Sequence, residues 1–161
     1  MIGTRSRRAI AVLAVVLAGV FGPLVVAPRA VSAAGRGGVV VVHTSSVETR
    51  CVALPDAGQR ALWALDRTDL SLYTISFGGI SGRFICLVDG EGTGTSSSCP
   101  AALSDPYWGV WIQRRGKKTP AEAQVGVGAL KLYPGDRLYL VWHTYPQDAP
   151  TPVSLGTICS T

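Results

Sequence analysis

The chain predicts an α+β domain in which one helix packs on a β-sheet and two disulfides staple the whole. Three observations carry that expectation. Ala57 to Asp69 bears an apolar stripe at helical spacing, whereas most of the other apolar segments alternate as half-buried strands do. Four cysteines follow an apolar N-terminal segment of the export type, and an even count in that setting argues for disulfides.

The N-terminal segment reads as an address. Arg5, Arg7 and Arg8 form a basic start, Ala9 to Val26 is almost wholly apolar, and Val31-Ser32-Ala33 offers the small residues a signal peptidase requires. Residues 1–33 are therefore expected to be a signal peptide and residues 34–161 a single secreted domain, extracellular and in touch with a membrane only during export. A retained anchor is the alternative, since the run reaches the roughly 18 residues needed for a span. Gly22-Pro23 and Pro28 interrupt it and favour cleavage. Four of the 15 basic residues, Arg5, Arg7, Arg8 and Arg29, lie in this segment and all 10 acidic residues lie beyond it, so the formal charge falls from +5 to about +1 on cleavage. The remaining basic cluster, Arg114-Arg115-Gly116-Lys117-Lys118, fits a solvated hairpin tip, and no basic face for nucleic acid is expected.

After a loose Gly35-Arg36-Gly37-Gly38 entry, Val39 to Val42 is a β-branched run suited to a buried strand, with Val47 to Leu54 its continuation or partner. Asp56 is placed to cap the helix that follows, because its carboxylate accepts from first-turn amides. Leu62 and Leu65 are the expected core contacts, with Trp63 packing at the edge of the stripe. Ser71 to Phe77, Arg83 to Val88, Tyr107 to Arg114, Leu130 to Tyr133 and Arg137 to Thr144 read as strands. Gly78 to Gly82 and Pro134-Gly135-Asp136 read as turns. In the last strand Leu138, Leu140 and Trp142 share one face, and Tyr139, Val141 and His143 share the other.

Cys51, Cys86, Cys99 and Cys159 allow three pairings. The favoured set is Cys86–Cys99, closing a short flexible loop, with Cys51–Cys159 tying the ends together. A zinc site is not expected, since there is no close C-x-x-C pair and there are only two histidines.

Helix 57–69, the Gly82-Arg83-Phe84-Ile85-Cys86-Leu87-Val88-Asp89-Gly90 segment, Tyr107-Trp108 and the Leu132-Tyr133-Pro134-Gly135-Asp136 turn together resemble the transcobalamin C-terminal-like domain, over about Val39 to Tyr145. That is a domain of unknown function in many secreted bacterial proteins. The resemblance implies a β-grasp-like fold, one helix against a mixed or antiparallel sheet. In vertebrate relatives the domain closes over one face of cobalamin, with a helical domain supplying the other half of the site. The chain shows no counterpart of that helical domain, so the resemblance implies no cobalamin site here and carries over no ligand residue.

No catalytic constellation is visible. His43 and His143 stand far apart at strand ends and are expected at the surface or edge, not as a base or a coordinating pair. Gly79-Ile80-Ser81-Gly82 lacks the spacing of a nucleophile elbow. Gly90-Glu91-Gly92-Thr93-Gly94 leads into no helix and so offers no amide cradle for phosphate. Asp89 and Glu91 are a calcium candidate on paper, but two carboxylates in a turn are expected to be simply solvated. No cofactor and no metal follow from these patterns.

The candidate binding residues are aromatic. Alternation along Tyr107 to Ile112 separates Trp108, Val110 and Ile112 from Tyr107, Gly109 and Trp111. With the first set under the helix, Tyr107 and Trp111 flank a glycine on the far face as a stacking platform for a planar or apolar ligand. The expected function is thus a secreted, non-enzymatic binding or interaction domain whose ligand is a small molecule or a protein. One alternative is a protease inhibitor: Cys99-Pro100-Ala101-Ala102-Leu103-Ser104-Asp105-Pro106-Tyr107 loosely resembles the reactive loop of the subtilisin-inhibitor family, although that family has two cysteines ahead of its helix and this chain one. A second is an enzyme of unrecognised type.

Overall fold

The computed structural model describes residues 35–76, 82–93, 99, 106–144 and 148–160. The expected signal peptide lies outside them. Among the described residues strands dominate, with two short helices, so the α+β expectation holds in its coarse form.

β1 (Gly35–Val42) and β2 (Val47–Leu54) form an antiparallel hairpin, Val42 facing Val47 at its closed end. β10 (Arg137–His143) lies parallel to β1 on the other side, with Val40 opposite Tyr139. β7 (Tyr107–Gln113) runs antiparallel to β10, and β8 (Ala121–Glu122) closes the far edge. The resulting order is β2-β1-β10-β7-β8. A second sheet, β4-β5-β6, is built from Leu72–Ser76, Arg83–Val88 and Glu91–Gly92. A two-stranded ladder pairs β3 (Gln59–Arg60) with β9 (Lys131–Leu132).

Both faces of the large sheet are covered, which is why Val39 to Val42 can be a continuous apolar run. Val39, Val41, Leu138, Leu140, Trp108 and Ile112 pack against α1 (Ala61–Leu65) and the smaller sheet. Val40, Trp111, Tyr139 and Val141 pack against Ile158 of α2 (Leu155–Ile158) and Val153. Cys51–Cys159 fastens α2 to β2, with Cα atoms 5.0 Å apart. Cys86–Cys99, at 5.2 Å, closes the loop after β6. The favoured pairing is the observed one.

The helix is shorter than its stripe suggests. Gly58, at φ +73°, turns the chain, and Gln59–Arg60 are taken into a strand ladder instead. The N-cap position of this helix is Arg60, not Asp56, and it carries no side-chain cap bond. The amides of Ala61 and Leu62 donate to the carbonyls of Leu130 and Val127, so a neighbouring loop does the work of a cap. At the other end the Thr68 hydroxyl donates to the Leu65 carbonyl and stops the helix. Ala61, Ala64 and Leu65 are the buried residues, while Leu62 is only partly buried.

Two buried polar groups anchor the loops. Asp136 accepts from the amides of Tyr133 and Arg115 and from the Arg114 guanidinium, which fixes the Pro134-Gly135-Asp136 turn against the β7–β8 hairpin tip. The fully buried Tyr139 hydroxyl donates to Gln113 Oε1 at 2.7 Å and accepts from the Val153 amide at 3.0 Å. Tyr139→Phe strands both partners in an apolar layer and is expected to cost roughly 1–3 kcal/mol, read as a lower urea midpoint at unchanged m-value.

Candidate functional site

The helix and the smaller sheet leave a groove between them. Because α1 buries Ala61, Ala64 and Leu65, it turns Leu62, Trp63 and Asp66 toward that groove. From the opposite wall come Leu72, Thr74 and Ser76, alternate residues of β4 that share one face. Arg60 and Arg83 stand at its sides, and Gly128 and Ala129 complete the lining. The groove encloses about 920 Å³. Arg83 Nη1 approaches Thr74 Oγ1 at 3.4 Å, and no ion pair among the described residues involves Arg60 or Arg83. The Arg67 guanidinium sits 3.3 Å from the Trp63 ring centroid, a cation–π contact that steadies the indole where it divides this groove from a smaller one along Cys51, Ala53 and Pro55.

The aromatic platform is not formed. Trp111 does face away from the helix, as alternation requires, but it is only 8% exposed and belongs to the core beneath α2. Tyr107 is half-buried and packs against His143, ring centroids 4.5 Å apart and planes tilted by 53°. The His143 ring lies over Gly109, where a Cβ would stand 2.3 Å from Nε2. The glycine thus makes room for an imidazole from β10 and exposes no flat surface. The reason is the C-terminal segment 148–160, which Cys51–Cys159 draws over the second face.

His43 also departs from its expected surface position. Its side chain is 10% exposed and meets the Trp108 indole edge-on, centroids 5.4 Å apart. Nδ1 lies 2.5 Å from Glu91 Oε2, and the other Glu91 oxygen accepts from the Thr44 hydroxyl and amide. Burial pushes the Glu91 carboxyl up, yet the Thr44 hydroxyl, the His43 ring and the Thr44 amide together hold it below the ordinary glutamate value. Glu91 is therefore a bonded, half-buried carboxylate and not the free turn residue expected. His43 and His143 contact neighbouring residues of β7, Trp108 and Tyr107, and so lie on opposite faces of the sheet.

Of the loop compared with a protease-inhibitor loop, residues 100–105 lie outside the described residues. All four cysteines are in disulfides, which removes a thiol nucleophile. Comparison with known protein families, curated proteins and solved structures returns no match for this chain. The groove and the His43 contacts escaped the sequence reading for different reasons. Trp63 and Arg67, four apart on a helical turn, were a local signal for the groove wall. Nothing local links His43 with Glu91, 48 positions on, which only the tertiary fold brings together.

Proposed function

We propose that this chain is an exported binding module that takes a small ligand, planar or apolar in body and anionic at one end, into the groove between α1 and β4–β5, without transforming it. The groove carries this reading. Its roughly 920 Å³ falls in the range of about 300–1,000 Å³ common for small-molecule sites. Leu62, Leu72 and the Trp63 indole supply apolar contact, and the Arg60 and Arg83 guanidinium groups, in no ion pair among the described residues, supply the complementary charge. Asp66 at the same rim selects against a ligand that is anionic along its whole length.

Export is supported by the apolar leader pattern and by two disulfides, bonds that persist in oxidising compartments. Among the described residues no helix is long and apolar enough to cross a membrane. The β-grasp-like reading draws support from the parallel pairing of the first and last long strands between two antiparallel neighbours, with α1 on one face.

Calorimetric titration with naphthalenesulfonate tests this. One saturable site is expected, weakened at least about tenfold by Arg83→Ala or Trp63→Ala, a change of about 1.4 kcal/mol. Arg115→Ala at the hairpin tip leaves it unchanged. Absence of saturation, or equal weakening by all three substitutions, contradicts the reading.

A further inference from the structure

We propose that His43, Glu48 and Asp89 form a binding site for a divalent transition-metal ion, Zn²⁺ in the first place, with Glu91 as the positioning residue behind the histidine. One donor atom from each of the three lies within 4.8 Å of the others. This site lies apart from the groove and does not rest on the reading of that groove.

The imidazole is what distinguishes this cluster from a chance gathering of carboxylates. With Nδ1–H donating to Glu91 Oε2 at 2.5 Å, Nε2 is the lone-pair nitrogen of the imidazole. Nε2 is buried and has no hydrogen-bond partner. A buried acceptor without a partner is costly, and this one faces Glu48 Oε1 at 4.0 Å, another acceptor to which the neutral ring cannot donate from that atom. A cation between the two gives the buried Nε2 its missing partner and Glu48 Oε1 an opposite charge. A carboxylate on the remote nitrogen is also how metal-bound histidines are oriented and made more basic.

The two carboxylates are held in a similar way. Glu48 Oε2 accepts from Arg50 Nη2 at 2.8 Å, leaving Oε1 toward His43. Asp89 Oδ1 accepts from the Ser71 amide at 2.7 Å, and the Asp89 amide donates back to the Ser71 carbonyl, so the turn that carries it is pinned to β4. Each carboxylate thus keeps a second oxygen for a ligand. Donors at the corners of a triangle of side 4.8 Å stand about 2.8 Å from its centre, against roughly 2.0–2.2 Å for zinc with nitrogen or oxygen. Small side-chain adjustments of the half-buried Glu48 and the exposed Asp89 close that gap. One imidazole and two carboxylates balance a divalent charge, and the imidazole favours zinc over calcium or magnesium.

The test is calorimetric titration of ZnCl₂ into the chelator-treated, dialysed protein with both disulfides formed. One equivalent is expected to bind, with Ca²⁺ at least about tenfold weaker. His43→Gln removes the binding, and Glu91→Gln weakens it by about 10–100-fold, as loss of a histidine's orienting partner does. His143→Gln, on the opposite face, leaves it intact. Near-UV circular dichroism shows that each variant is folded. No saturable Zn²⁺ binding, full binding by His43→Gln, or equal losses in His43→Gln and His143→Gln overturns the site.

Discussion

The double replacement Cys51→Ser, Cys159→Ser is expected to lower stability by roughly 4–5 kcal/mol, the chain-entropy value for so long a loop. The two cysteines are 108 positions apart, and every described element after β2 lies between them. A loss of that size is a large share of the roughly 5–15 kcal/mol by which domains are stable. It also has a local consequence. α2 covers Trp111 and Tyr139 through Ile158, and that cover is fastened to β2 by this bond. Near-UV circular dichroism should therefore lose part of the tryptophan signal before far-UV signal is lost, as α2 lifts from the sheet. A double variant as stable to urea as the parent contradicts this account. The same replacement at Cys86 and Cys99, only 13 positions apart, closes a shorter loop and is expected to cost less, roughly 3 kcal/mol.

Gly92→Ala is the second large effect. Gly92 has φ +152°, and a Cβ there would stand 2.0 Å from the Cys86 carbonyl oxygen, a backbone atom that cannot swing aside. Backbone strain and overpacking, at about 1–3 kcal/mol each, together predict a loss of roughly 2–6 kcal/mol. Gly92 pairs with Leu87 at the β5–β6 hairpin, so relief of the clash must move β6. Glu91 moves with it, and the His43 ring loses its carboxylate partner. A thermal melt gives the stability term, and the His43 ring signals in NMR give the displacement. An unchanged melting temperature contradicts the stated backbone contact.

Strand positions were legible because the sheet obeys a period of two. Leu138 and Leu140 against Tyr139 and Val141, and Trp108 and Ile112 against Trp111, divide between the two cores as alternation requires. The cysteine pairing followed from loop length and chain ends. Exposure did not follow. Residues 148–160 have no strong periodicity, so nothing local announced that they cover the second face and bury Trp111. The helix was overextended because Asp56 and the 57–69 stripe are local signals, while the carbonyls of Val127 and Leu130 that take the helix's first amides come from a distant loop. The neighbours of His43 are likewise spread over positions 48, 89 and 91, and only strand packing assembles them.

Amide and indole chemical-shift mapping of the folded protein with naphthalenesulfonate tests the central claim, that recognition occurs in the groove between α1 and β4–β5. The account predicts saturable shifts at Trp63, Thr74, Arg83 and Gly128, with Trp111 and the hairpin tip at Arg115 undisturbed. Shifts centred on Tyr107, Gly109 and His143 instead, with the groove residues silent, would contradict it.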